Sequence, residues 1–247
     1  MNDISRREFM KMTAAASALA CVAGASSVTD VPAGQKPQAG GYHSAWHRLP
    51  DRYWTGPDMW ANPWEDWQIQ EGRLVCIKAA SGNRTVHCLT HQLGDRAGEA
   101  EIAVTVQYCG SKTADDTGRG LVAGAGQARH EEALGSSGFA LGVRVNDPID
   151  DYRSRLLFGS GLNVGLTGDG QLVIDREHRE ESAALAKALA GGEPVRLVCR
   201  MAPERGRGTY ALTLRAVNPE DETEYAVVEK RGVPAGRLIG NVALVNN

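Results

Sequence analysis

Residues 99–108 read Glu-Ala-Glu-Ile-Ala-Val-Thr-Val-Gln-Tyr. Ala100, Ile102, Val104, Val106 and Tyr108 fall on one side of an extended chain, and Glu99, Glu101, Thr105 and Gln107 on the other. This period of two marks a strand with one buried face. Shorter β-type runs recur at 73–78, 85–90, 120–124, 138–145, 154–158, 162–166, 171–174, 195–201, 209–217, 225–229 and 242–245. Turn residues separate them, including Ser81-Gly82-Asn83 and Gly168-Asp169-Gly170. A single helix is expected over 182–190, with Ser182 as its N-cap and Gly191 as its stop. About a dozen strands without regular intervening helices cannot build a parallel α/β sheet. Two antiparallel sheets packed face to face are the solution left.

The expected fold is therefore all-β, with one short helix. At this length it is similar to a jelly-roll sandwich of the concanavalin A or laminin-G type. The β domain is expected over 42–247. Residues 26–41 are rich in Ser, Pro, Gly and Gln and read as a flexible linker.

The N-terminus carries an address. Ser5-Arg6-Arg7-Glu8-Phe9-Met10-Lys11 has the form of a twin-arginine export signal, followed by an Ala-rich apolar stretch. Ala23-Gly24-Ala25 offers a small-x-small cleavage site, so residues 1–25 form the signal and cleavage is expected after Ala25. The stretch is far shorter than the ~20 residues that span a bilayer, and no later segment is longer. The signal implies the twin-arginine translocase as a partner during export, with a periplasmic or extracellular destination. No transmembrane span is expected in the mature chain.

The net charge of −3 gives no basic footprint for nucleic acid. Cys76, Cys88, Cys109 and Cys199 remain after the signal, an even number in an oxidising compartment, and sequence does not select among pairings or buried thiols. No Cys-x-x-Cys, His-Glu-x-x-His, Gly-x-Ser-x-Gly or phosphate loop occurs, and neither does the Glu-x-Asp-x-x-Glu run of family-16 glucanases.

Two features carry candidate sites. All five tryptophans lie within 46–67: Trp46, Trp54, Trp60, Trp64 and Trp67. Indoles stack on sugar rings, so Trp54, Trp60, Trp64 and Trp67 are candidate ligand contacts, with Tyr42 and Tyr53 beside them. The favoured reading is that Trp60, Trp64 and Trp67 pack this segment onto the sandwich, in a folded loop that Pro57 and Pro63 keep from being a helix. Asp147-Pro148-Ile149-Asp150-Asp151 is the densest acidic loop, and Asp147, Asp150 and Asp151 are candidate Ca²⁺ ligands without EF-hand spacing. Glu177-His178-Arg179-Glu180 reads as a polar loop, and Glu99 with Glu101 as a solvent face.

Longer segments carry a family resemblance. They are Tyr53-Trp54-Thr55-Gly56-Pro57-Asp58-Met59-Trp60-Ala61-Asn62-Pro63, Asp66-Trp67-Gln68-Ile69, Glu71-Gly72-Arg73-Leu74-Val75-Cys76, Arg84 to Thr90, and Ile239-Gly240-Asn241-Val242-Ala243-Leu244-Val245. Together they resemble the N-terminal concanavalin-like domain of exported alkaline phosphatase D (PhoD-like) metallophosphoesterases. That resemblance implies an accessory module, with metal-binding Asp, Asn and His residues in a phosphatase domain beyond this chain. A second resemblance rests on Asp66-Trp67 and Gly72-Arg73-Leu74. It is to laminin-G-like domains of sugar-processing enzymes, including 3-keto-disaccharide hydrolases, and implies glycan binding or cleavage.

Replacing Arg6 and Arg7 together by Lys is expected to stop export. Cell fractionation should then find unprocessed precursor inside the cell, whereas the parent chain is recovered shortened and outside it.

Overall fold

The computed structural model describes residues 10–12, 18–20, 42–77, 84–108, 136–143, 162–175 and 178–246. The strands in chain order are β1 (Met10–Met12), β2 (Ala18–Ala20), β3 (Tyr42–His43), β4 (Met59–Asn62), β5 (Trp67–Gln70) and β6 (Arg73–Cys76). They continue with β7 (Arg84–Leu93), β8 (Ala100–Tyr108), β9 (Ser136–Val143), β10 (Leu162–Thr167) and β11 (Gln171–Ile174). The last five are β12 (His178–Glu181), β13 (Val195–Pro203), β14 (Thr209–Val217), β15 (Glu224–Pro234) and β16 (Gly240–Asn246). One sheet runs β15-β14-β13-β8-β1-β6-β5, with β2 also on β8 and β3 on β2; the other runs β12-β11-β10-β9-β16-β7-β4. Neighbours pair antiparallel throughout. The architecture is thus all-β and antiparallel, as the alternating pattern requires.

One core joins the sheets. Ile102, Val104 and Val106 of β8, Leu197 of β13 and Leu212 and Leu214 of β14 come from the first sheet. Phe139 and Leu141 of β9, Leu162, Val164 and Leu166 of β10 and Val242 of β16 meet them from the second. Each set obeys the strand period of two. The clean ten-residue run of the sequence became β8, a central strand, and its Ala103 and Thr105 are buried as well. Glu99 does stand in solvent, ion-paired to Arg200 at 2.7 Å.

Helix α1 (Ala183–Gly191) starts where Ser182 predicts it: Leu185 N donates to Ser182 Oγ at 3.2 Å. It ends one residue later than the sequence suggested, because Gly192, at φ 71°, takes the left-handed position that closes a helix. Leu185, Ala188 and Leu189 insert into the core. A second helical turn, α2 (Ala235–Leu238), was not expected. Residues 178–181, expected as a loop, are instead strand β12 at a sheet edge, in register with β11. Their charged side chains suit an outer strand, which is why polarity alone misleads there. Residues 60–67 are not a loop either. They comprise β4, a 3₁₀ turn at Trp64–Asp66 and the start of β5.

That 3₁₀ turn is anchored by a buried ion pair. Arg84 Nε donates to Asp66 Oδ2 at 3.0 Å, with the side chains only 8% and 4% exposed. The Asp66 carbonyl also accepts Ile77 N at 2.8 Å. Asp66 leads into the first sheet and Arg84 opens β7 of the second, so the pair ties the two sheets at one edge. Cys88 and Cys199 carry free buried thiols and Cys76 is buried beside them in the core. Burial, with the Glu101 charge adding, pushes the Cys199 thiol up to about 12. Cys109 and the runs expected at 120–124 and 154–158 lie outside the described residues. Met10–Met12 and Ala18–Ala20, within the export-signal region, pair in the first sheet; Arg6, Arg7, Ala25 and the linker at 26–41 lie outside the described residues.

Asp66→Ala removes the carboxylate from beside a buried guanidinium, so chemical denaturation should show a loss of about 3–5 kcal/mol. A loss below about 1 kcal/mol would mean that water already screens the pair.

Candidate functional site

The tryptophan segment divides in two. Trp46 and Trp67 are 4% and 0% exposed, whereas Trp54, Trp60 and Trp64 are 54%, 39% and 64% exposed. Sequence reasoning grouped Trp67 with the ligand contacts; the structure removes it. Trp67 opens β5, whose burial pattern puts Trp67 and Ile69 inward, and it packs in the core with Leu74 and Cys76. Its indole N–H has no acceptor among the described residues. That costs about 1–3 kcal/mol, against roughly 4–6 kcal/mol from burying an indole of 150–250 Å².

The other three line one cleft of about 600 Å³ with Tyr53, Pro57, Met59 and Leu89. This is within the usual size of small-ligand sites. Trp60 faces out because strand β4 alternates: Met59 and Ala61 are buried and Trp60 is not. Its cross-strand partner is His87 of β7, which puts Trp60, His87 and, two residues on, Leu89 on the outer face of the second sheet. His87 is buried at that level and its Nε2 lies 3.0 Å from Thr85 Oγ1. Trp64 projects from the 3₁₀ turn that the Asp66–Arg84 pair holds.

The floor of the cleft is fixed from below. Trp46 Nε1 donates to the Thr55 carbonyl at 2.9 Å, and Thr55 Oγ1 donates to the Met59 carbonyl at 3.2 Å. Leu89 N donates to the Asp58 carbonyl at 2.8 Å, pinning the loop to β7. Arg52 exchanges backbone hydrogen bonds with Ile69 and holds its guanidinium 4.6 Å from the centre of the Trp54 ring. A cation over the indole face fixes its orientation while leaving the opposite face open. Tyr42 packs against His91, ring centres 4.9 Å apart, behind this loop. Burial, and then the nearby Asp58 carboxylate, hold the Tyr42 phenol above its ordinary range.

Arg52, Asp58 and Leu89 were missed from sequence. Arg52 and Asp58 lie between the aromatic residues, in the Arg-Tyr-Trp and Pro-Asp-Met triplets, and that adjacency was the available signal. Leu89 carried none, being one apolar residue of a strand. Among the described residues, none that lines the cleft carries a carboxylate or an imidazole. Asp147, Asp150 and Asp151, the candidate Ca²⁺ ligands, lie outside the described residues, as do Asp115, Asp116, Glu131 and Glu132. Among the described residues no group of three or more His, Cys, Asp and Glu is placed to hold a metal ion. No helix among them is long and apolar enough to cross a membrane.

Stability should separate the two sets. Trp67→Ala is expected to cost about 3–5 kcal/mol. Trp54→Ala and Trp64→Ala should stay within roughly 0.5 kcal/mol of the parent. Thermal melts of the purified variants check both. Comparison with known proteins adds no relative: no family model, no curated protein and no solved structure matches this chain.

Proposed function

We propose that this chain is a carbohydrate-binding β-sandwich module acting outside the cytoplasm, with Trp54, Trp60 and Trp64 as its sugar platforms. The observation that carries the reading is the division of the tryptophans: two serve the core, while three stand in water around one cleft. Leaving large indoles exposed forgoes burial energy, and a clustered exposed aromatic patch marks a binding surface. The apolar C–H face of a pyranose suits an indole plane. The concanavalin- or laminin-G-like resemblance around Asp66-Trp67 and Gly72-Arg73-Leu74 points the same way.

The role is binding without cleavage. Glycoside hydrolysis with retention needs two carboxylates about 5 Å apart across the bond. The cleft is lined by Tyr53, Trp54, Trp60, Trp64, small residues and aliphatics. The resemblance to the accessory domain of PhoD-like phosphatases supplies a second reading. In that reading a phosphatase domain covers the same face, and the near-continuous apolar lining favours it.

Tryptophan fluorescence titrated with soluble cell-wall and plant polysaccharides is the test. Saturable quenching that falls at least ten-fold in affinity in Trp54→Ala and Trp64→Ala, at unchanged melting temperature, supports the sugar reading. No response to any polysaccharide would move the assignment to the domain-docking reading.

A further inference from the structure

Four described arginines at the surface of this chain are committed to a carboxylate. Arg196 pairs with Glu222 at 2.8 Å, Arg200 with Glu99 at 2.7 Å, Arg215 with Glu224 at 2.7 Å and Arg237 with Asp175 at 3.0 Å. Arg205, Arg207 and Arg231 differ: all three are exposed and none forms an ion pair with a described residue.

The fold gathers them deliberately at one tip. The β13–β14 hairpin turns through Glu204-Arg205-Gly206-Arg207-Gly208, closed by Glu204 N to the Thr209 carbonyl at 2.8 Å. Gly206 and Gly208 sit at φ 70° and 63°, which only glycine takes readily, and no atom lies within 4 Å of where their side chains would begin. The two arginines are therefore the long side chains of an open turn. Strand β15 brings the third. Its register slips by one residue between the Leu212–Lys230 and Tyr210–Val233 pairs, a bulge that swings Arg231-Gly232 towards the turn. Glu204 staples that bulge in place. Its Oε2 accepts Thr209 Oγ1 at 2.7 Å and Gly232 N at 3.0 Å. Ala235 N, just past β15, donates to the Gly208 carbonyl at 3.1 Å.

Those two hydrogen bonds, the Thr209 one first, hold the Glu204 carboxyl below its ordinary range, and the charges of Arg207 and Arg231 add to the effect. Both guanidiniums thus lie within electrostatic reach of one carboxylate that is already spent on the turn. Two cations act on one anion, and a third, Arg205, is carried by the same turn, on a chain whose net charge is negative. Like charges held together without a partner repel, and guanidinium forks match phosphate oxygens in pairs.

We infer that the Arg205–Arg207–Arg231 tip is a binding site for phosphate oxyanions. The phosphate reaches the tip as a lipid headgroup or as a free ion. This site is separate from the aromatic cleft and does not depend on what the cleft binds.

The experiment takes the full chain and two probes. One is vesicles of phosphatidylglycerol and phosphatidylcholine in equal parts, against pure phosphatidylcholine, read by co-sedimentation. The other is inorganic phosphate, read by amide chemical shifts of residues 204–209 and 231–232. Binding to the anionic vesicles alone assigns the lipid source, and shifts with inorganic phosphate assign the free ion. In either case each Arg→Ala change should weaken binding about five-fold, with added salt weakening it further. Glu204→Gln keeps acceptor oxygen for the staple but removes the competing charge, and should tighten binding. Absence of binding to both probes overturns the proposal. So does binding that survives Arg205→Ala, Arg207→Ala and Arg231→Ala combined.

Discussion

The Asp66–Arg84 ion pair is the constraint on which the exposed aromatic face rests. Two charges removed from water are costly, and their attraction repays that only with tight geometry and further hydrogen bonds. The geometry here is tight, at 3.0 Å with both side chains buried. One consequence is local: Trp64, two residues before Asp66, stands in solvent on a turn that has nowhere else to go. The other is global. The segment runs from β4 in the second sheet to β5 in the first, and the pair closes that passage against β7. Trp67 then drops into the core directly after it. A single carboxylate therefore separates a residue that faces solvent from one that holds the fold.

Much of the fold was legible because strands announce themselves by period. The run at 209–217 and that at 171–174 match strands β14 and β11 end to end, and Ser182 marked the helix start. The failures have a common physical origin. Strand β12 is polar because it is an edge, so it lacks the apolar alternation that reveals inner strands. Strand β4 is only four residues long, so its alternation was hidden by outward Trp60. The aromatic cluster itself was visible in the sequence. Which indoles face water was not, because that depends on tertiary neighbours: Ile69 and Leu74 around Trp67, and open space around Trp54. Arg52 illustrates the limit. Its backbone pairs with Ile69, a partner whose proximity only the folded chain creates.

The chain thus separates two kinds of chemistry on one scaffold. The aromatic cleft is apolar, planar and held by backbone hydrogen bonds beneath it. The arginine tip is cationic, open and held by one carboxylate oxygen of Glu204 that accepts two hydrogen bonds. Each combines turn residues with strand residues: Trp54 and Trp64 join Trp60 of β4 and Leu89 of β7, and Arg205 and Arg207 join Arg231 of β15. The export signal at the N-terminus, as an expectation of the sequence, would deliver a folded domain with both surfaces already formed.

The passage of the aromatic segment between sheets has a thermodynamic consequence. An occupant of the cleft would touch Trp60 and Leu89 on the second sheet and Trp64 on the segment leading into the first. It would therefore bind only when both sheets are in place, and so only the fully folded state. Mass action then couples occupancy to the stability of the entire sandwich. At a hundred times the dissociation constant, such a ligand adds about 2.7 kcal/mol to the unfolding free energy. The cleft would thus act as a clamp on the fold as well as a seat for its ligand.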